Sequence, residues 1–221
     1  MPSRVLSSSI GSKLLIAVTG LGLFIFLIAH LSGNLLFLLG PAAFNEYSHA
    51  LISNPLVYLA EAGLIVIFLL HVYKTVRLYA GAKTARPVAY ARKEWAGGPS
   101  RKSWSSTTMI FTGLVTFAFL ILHLRKFKFG AWYETPEGIR DLYRLQLEIF
   151  TSPFYVGFYC VAMAIIGFHL WHGLSSAAQS LGIDHPRHTP KILWLGRALA
   201  LLIAGGFFIL PIYTYLLRGR S

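Results

Sequence analysis

Four histidines lie deep inside long apolar segments of the sequence, one in each segment. They are His30, His71, His123 and His169. An imidazole in hydrocarbon is costly and normally has a partner. Neutral imidazole is also the commonest protein ligand of transition metals. One such residue in each of four segments predicts two sites, each holding a metal between two imidazoles.

The segments around these histidines are long enough to cross a lipid bilayer. Of the 221 residues, 55% are hydrophobic and 13% are charged, whereas soluble domains carry about twice that charged share. A membrane-spanning helix needs about 20 apolar residues. We therefore predict one all-α integral membrane domain over residues 1–221. Its five transmembrane helices are expected at 13–39, 56–82, 105–126, 152–178 and 192–217.

The net charge of +12 is better explained by membrane topology than by nucleic-acid binding. Of the 20 Lys and Arg residues, 13 lie before the first helix or around the second and fourth connections, and 7 lie on the opposite face. Positive charge favours the cytoplasmic side, so we expect a cytoplasmic N-terminus and an external C-terminus.

The first apolar run is too long for a signal-peptide core. The lone Cys160 implies neither a disulfide nor a thiolate site.

This topology sorts the four histidines into two levels. At 1.5 Å per residue, each lies roughly 25 Å from where its helix enters the membrane. His30 and His123 are on outward-running helices and share an outer level, whereas His71 and His169 share an inner level. The levels should differ by roughly 15 Å. Two pairs at matched depths favour a bundle of the first four helices around two stacked haem b groups.

Other interpretations of the histidines stay open. A haem-free protein could use them for hydrogen-bonded packing or as a proton relay. Zinc is disfavoured because neither Cys nor an acidic residue accompanies either pair, and copper because no Met or Cys does. His172 lies one turn from His169 on nearly the same face. It is therefore a rival ligand or a partner for a haem propionate.

Basic and small residues near the two levels would suit haem in different ways. Propionates are negatively charged and favour basic partners. The candidates are Lys13, Lys74 and Arg77 on the inside and Arg125 or Lys126 on the outside. Glycine lets a flat group approach the backbone, and the first and third helices carry glycines at the inner level. Those glycines are Gly20, Gly22 and Gly113.

Three stretches of the chain resemble a known family. They are 11–49, 66–79 and 167–182, and they contain the motifs HLxGN, GPxAFNxYxH and HLWHGLxSAxQxLG. The chain resembles the dihaem b558-type cytochrome b subunits of succinate:quinone oxidoreductases and fumarate reductases. The resemblance covers nearly the whole chain and is least diagnostic over 125–150. It implies two haem b groups with axial ligands at His30, His71, His123 and His169.

The resemblance also implies an electron path and partners. A flavoprotein with FAD oxidises succinate, and an iron–sulfur subunit passes electrons to the inner haem and then the outer haem. Quinone, expected to be menaquinone, is reduced there. The location implied is a bacterial cytoplasmic membrane, in which the subunit is a multi-pass protein. The basic connection 83–102 is either a docking surface for these partners or simply topogenic charge.

Quinone reduction consumes protons, so polar residues near the outer face are candidates for proton handling. Glu61, about six residues into the second helix, is either a buried carboxylate that exchanges protons with quinone or an acidic residue that the helix dipole favours near a helix start. Glu46 and His49 lie in the short outer connection. The reaction direction and the oligomeric state of the complex stay open. A haem-bearing subunit of formate dehydrogenase or hydrogenase also stays open as an alternative identity. A bc-type cytochrome b is disfavoured, because no helix carries two histidines about four turns apart.

Overall fold

The structure, a computed structural model, describes residues 8–85, 108–183 and 185–217. The α-helices of these ranges are α1 (Ser9–Leu35), α2 (Pro41–Ile52), α3 (Leu56–Thr84), α4 (Met109–Phe127), α5 (Leu142–Ile149), α6 (Pro153–Ser180) and α7 (Thr189–Leu217). A 3₁₀ turn, Leu36–Leu39, extends α1. Most of the basic connection predicted as a docking surface, residues 86–102, lies outside the described residues.

Five of these helices are long and apolar enough to cross a membrane. They are α1 with its 3₁₀ extension, α3, α4, α6 and α7. The prediction of five transmembrane helices is confirmed, and each predicted end agrees with the structure to within four residues. Large apolar side chains are exposed along all five helices, as expected for surfaces that face lipid.

Local sequence explains where the helices begin. The Ser8 side chain accepts a hydrogen bond from the Gly11 N–H at 3.0 Å and so caps α1. Asp141 caps α5 in the same way by accepting from the Arg144 N–H at 2.9 Å. Before α2 the chain turns at Gly40, whose φ of +99° favours glycine.

Small residues let α7 pack closely on α1 and α6. A Cβ at Gly206 would lie 2.8 Å from Leu31, and a Cβ at Gly167 would lie 2.9 Å from Ala204. Close approach through small residues is a common way for membrane helices to associate. The apolar core between α1 and α7 consists of Phe24, Leu31, Ile203 and Leu210.

Helix α3 is the most peripheral of the five spans. None of its residues is buried. It packs mainly on α1, and it meets α4 where Phe68 and Phe117 stack with ring centroids 5.8 Å apart. The polar contacts that His71 makes with α1 are therefore an important part of its attachment.

The short helices α2 and α5 close the end of the bundle that is predicted to be the outer face. Sequence analysis treated both regions as connections. The buried Asn45 joins them, since its amide donates to Asp141 Oδ1 at 2.8 Å and its oxygen accepts from the Tyr143 N–H at 2.9 Å. A hydrogen bond with Glu148 raises the pKa of the Tyr133 hydroxyl, which stays neutral at ordinary pH. These contacts give the outer end an ordered cap.

Candidate functional site

His30 on α1 and His123 on α4 meet toward the capped end of the bundle. Their ring centroids are 5.9 Å apart and their planes are nearly perpendicular, at 85°. Two imidazoles bound to one metal through bonds of about 2 Å have centroids about 6 Å apart. The spacing therefore suits a metal between the rings. The other neighbours are aromatic, with Phe26 and Phe207 against His30, and Phe119 and Phe127 against His123.

The Nδ1 atoms of this outer pair are poorly satisfied. Nδ1 of His123 is buried and has no hydrogen-bond partner among the described residues. Nδ1 of His30 is 3.5 Å from the side-chain nitrogen of Asn34, which donates a shorter bond of 2.8 Å to the His30 carbonyl. Buried polar atoms are normally paired. In the described part of the chain, these two nitrogens therefore lack the hydrogen-bond acceptor that the second ring nitrogen of a metal-ligating histidine usually has.

His71 on α3 and His169 on α6 each contact the preceding transmembrane helix. Nδ1 of His71 lies 3.1 Å from Thr19 Oγ1 and 3.2 Å from the Ile16 carbonyl oxygen, both on α1. Nδ1 of His169 lies 3.2 Å from Thr112 Oγ1 on α4. These contacts use Nδ1 of each ring, so Nε2 is the nitrogen left for a ligand.

The two pairs lie at different depths of the bundle. Thr19, which contacts His71, precedes His30 on α1 by 11 residues, and Thr112, which contacts His169, precedes His123 on α4 by 11 residues. Eleven residues of helix correspond to about 16 Å. The observed arrangement therefore has two levels, each with one histidine from each helical hairpin, α1–α3 and α4–α6.

Thr19 and Thr112 are not among the residues predicted from the sequence, although a signal for both is present. Residues 19–31 read TGLGLFIFLIAHL and residues 112–124 read TGLVTFAFLILHL, which are identical at nine of 13 positions. Each segment starts with the Thr-Gly pair of the inner level and contains the histidine of the outer level. Comparing the two histidine helices directly would have identified this repeat.

The predicted propionate partners lie at the ends of the spans. Lys74 is half-buried one turn beyond His71, while Lys13 and Arg77 are exposed, and Arg77 donates to the Tyr73 hydroxyl at 3.2 Å. His172 is half-buried one turn beyond His169. No group of three or more His, Cys, Asp or Glu side chains comes together in the described ranges.

A cavity of about 320 Å³ lies between α4 and α6 near the outer level, and one of its lining residues, Tyr159, has its ring centroid 6.1 Å from that of His123. Arg125 and Lys126 line it together with Tyr155 and Tyr159. Lys126 lies over the Tyr155 ring at 4.6 Å. The hydroxyl of Tyr159 is buried and has no hydrogen-bond partner among the described residues. The outer level thus has basic and hydroxyl groups beside an apolar wall.

The three residues predicted to handle protons do not form one cluster in the structure. Glu61 is paired with Lys128 and its side chain is 39% exposed, so the expectation of a buried carboxylate is wrong. It lies near the start of α3, where the helix emerges beside the segment that follows α4. Glu46 and His49 are exposed on α2.

Comparison with known proteins identifies the family of this chain. The chain is 31% identical over 170 residues to the succinate dehydrogenase cytochrome b558 subunit of Bacillus subtilis. The aligned region covers 76% of this chain and 77% of that protein. The chain belongs to the succinate dehydrogenase cytochrome b558 family. The resemblance seen in the sequence is thereby confirmed. No protein-family model matches the chain, and no solved structure does.

Proposed function

We propose that this cytochrome b558 family member is the membrane anchor of a succinate dehydrogenase and carries electrons to quinone through two haem b groups. One transmembrane unit, residues 1–221, would hold both groups between its first four spans. The family relationship supports the complex. The observation that carries the haem assignment is the facing pair of His30 and His123, with His71 and His169 both placed at a second level about 16 Å away.

The residues present fit two bis-histidine haems. His30 and His123 are spaced for one metal between them. His71 and His169 have Nδ1 engaged by the neighbouring helix, which is the usual arrangement around a metal-ligating histidine. Glycine lies against both inner rings, at Gly20 and Gly113. We assign His30 and His123 to the outer haem iron and His71 and His169 to the inner haem iron.

When bound, haem b supplies an iron that takes up and releases one electron at a time. The chain contributes ligands, a low-dielectric interior and a separation of about 16 Å between the two levels. Lys13, Lys74 and Arg77 provide positive charge at the inner end for propionates, with His172 as a hydrogen-bonding partner. Arg125 and Lys126 would do so at the outer end.

Succinate oxidation on the flavoprotein partner releases two electrons and two protons, and quinone takes up two of each. An iron–sulfur partner would connect the two reactions, as the family relationship implies. We place these soluble partners on the cytoplasmic side of a bacterial membrane, next to the basic connection. Menaquinone is the expected quinone.

Quinone reduction is proposed at the outer level. Glu61 meets solvent and Lys128 at this end of α3, so a proton could reach it from the outer surface. Glu46 and His49 are exposed on the cap helix α2 and could feed the same surface. The cavity lined by Arg125, Lys126 and Tyr159 provides a second polar region near this level.

The test is purification of the native complex from the membrane. Succinate-dependent quinone reduction and quinol-dependent fumarate reduction are measured on the same sample, because the two are one reaction in opposite directions. Reduced-minus-oxidised spectra should show a low-spin b-type α-band, with two haems for each chain. A complex without this band would contradict the haem assignment, and one without succinate activity would contradict the partner assignment.

A further inference from the structure

We propose that Thr19 and Thr112 are positioning residues that hold the rings of His71 and His169 with the proton on Nδ1, so that Nε2 of each ring faces the inner haem. This inference rests on the proposed haem function. It goes beyond that function by naming what sets the tautomer and the ring plane of the inner ligands, and by separating the inner pair from the outer pair.

The direction of the hydrogen bonds on α1 follows from the single proton of the Thr19 hydroxyl. That proton is directed at the Leu15 carbonyl, 2.6 Å away. Thr19 Oγ1, which is 3.1 Å from Nδ1 of His71, must therefore accept there. The Ile16 carbonyl, 3.2 Å from the same nitrogen, is also an acceptor. Two acceptors at one nitrogen place the proton on Nδ1, which leaves the lone pair of a neutral imidazole on Nε2.

The second helical hairpin repeats this arrangement. Thr112 Oγ1 lies 3.2 Å from the Met109 carbonyl, to which its hydroxyl can donate, and 3.2 Å from Nδ1 of His169. By analogy with Thr19, we assign Thr112 Oγ1 as the acceptor from Nδ1. In both hairpins the threonine is on the first transmembrane helix and the histidine is on the second. The matching segments 19–31 and 112–124 therefore place the same acceptor beside both inner ligands.

A glycine follows each threonine and lets the ring lie against the helix backbone. A Cβ at Gly20 would be 3.2 Å from Cε1 of His71, and a Cβ at Gly113 would be 3.3 Å from Cε1 of His169. Both distances are tight, so a side chain at either position would push the ring away. The Thr-Gly pair thus restricts the ring by a hydrogen bond on one side and by contact on another.

The outer pair has no equivalent acceptor among the described residues. Nδ1 of His123 is unpaired, and Nδ1 of His30 lies 3.5 Å from the amide nitrogen of Asn34, which is a donor. A hydrogen bond from Nδ1 to an acceptor makes an imidazole a stronger donor to iron and orients it. The chain therefore strengthens and orients the inner ligands and leaves the outer ligands to packing by aromatic rings.

The experiment uses the purified complex with Thr19→Val or Thr112→Val, which keep the shape of the side chain but remove the hydroxyl acceptor. Because His71 keeps the Ile16 carbonyl as a second acceptor, Thr112→Val should have the larger effect. Haem content, a redox titration followed at the α-band and the ferric low-spin EPR signal are measured. We expect the inner haem to titrate at a higher potential, its EPR signal to shift and its retention to weaken by about tenfold. The outer haem should be unchanged, and Thr19→Ser and Thr112→Ser should restore the inner signal.

The matched control is Thr116→Val. Thr116 lies one turn beyond Thr112 on α4, and its hydroxyl donates to the Thr112 carbonyl at 2.8 Å. The Thr116→Val variant therefore removes a similar hydroxyl without removing a hydrogen bond to a histidine. If a valine variant does not assemble, Gly20→Ala replaces it, because alanine strengthens a helix while its Cβ crowds His71. Inner-haem properties equal to those of Thr116→Val would overturn the proposal. A wild-type complex without low-spin haem would instead refute the proposed function.

Discussion

Replacing either histidine of the outer pair should remove the same haem. His30 and His123 come from different helices and face one another with ring centroids 5.9 Å apart, so each would supply one axial bond to one iron. We expect His30→Ala and His123→Ala each to lower haem content from two to about one per chain. Both should abolish the same component of the α-band, while His71→Ala and His169→Ala should abolish the other.

The size of the effect follows from the role of the removed group. Losing a residue that merely hydrogen-bonds a metal ligand costs about 10–100-fold in metal affinity. Losing a ligand should cost more than 100-fold, which is at least about 2.7 kcal/mol. The double variant of His30 and His123 should lose little more than either single variant, because the second imidazole has no haem left to hold. The other level is about 16 Å away, so its haem should remain.

The assay combines haem content with reduced-minus-oxidised spectra of purified complexes. His185→Ala serves as the control, because His185 lies in the connection between α6 and α7 and should retain both haems. Loss of one shared component by His30→Ala and His71→Ala would refute the pairing. So would a double variant of the outer pair that loses both haems while its subunits still assemble.

Three other predictions follow from the structure. Asn45→Ala removes two hydrogen bonds between α2 and the start of α5. It should lower the free energy of unfolding by roughly 2–4 kcal/mol. Thermal melts should show a clearly larger drop in melting temperature than for the control Asn54→Ala, at an exposed position. The 85° angle between the outer imidazole planes predicts a highly anisotropic low-spin ferric EPR signal for the outer haem, and an ordinary rhombic signal would contradict it. Glu61→Gln should slow quinone turnover and alter its pH dependence. The stability should change little, because an exposed ion pair contributes less than about 1 kcal/mol. Unchanged turnover at every pH would contradict a role of Glu61 in proton handling.

The spans could be predicted because each is a long apolar run, and length and composition suffice for that. The cap helices α2 and α5 could not be predicted in the same way. They are short, and α5 buries one face through Leu145, Gln146 and Ile149 only because the ends of other helices lie beneath it. The helical spacing of Leu142, Leu145 and Ile149 indicates an amphipathic helix, but eight residues do not show which surface its apolar face covers.

The levels of the histidines could also be predicted, because depth along a helix follows from residue number. Contacts around the helix axis could not, since they depend on how each helix is rotated against its neighbour. Gly20 was expected to make room for haem, and in the structure the ring of His71 lies against it. A buried Glu61 was one of two interpretations, and the rotation of α3 instead brings it to Lys128 at the edge of the bundle.

The surroundings of the two pairs differ although the proposed ligands are the same. Each iron would be held by two imidazoles. Any difference in reduction potential between the two haems must therefore come from hydrogen bonds, burial and nearby charge. At the inner level two effects oppose one another. Acceptors at Nδ1 of His71 and His169 favour the ferric state and lower the potential, whereas Lys13, Lys74 and Arg77 favour the reduced state and raise it. Salt screens exposed charges but not a hydrogen bond inside the bundle, so the two contributions can be separated by titrating the inner haem at low and high ionic strength.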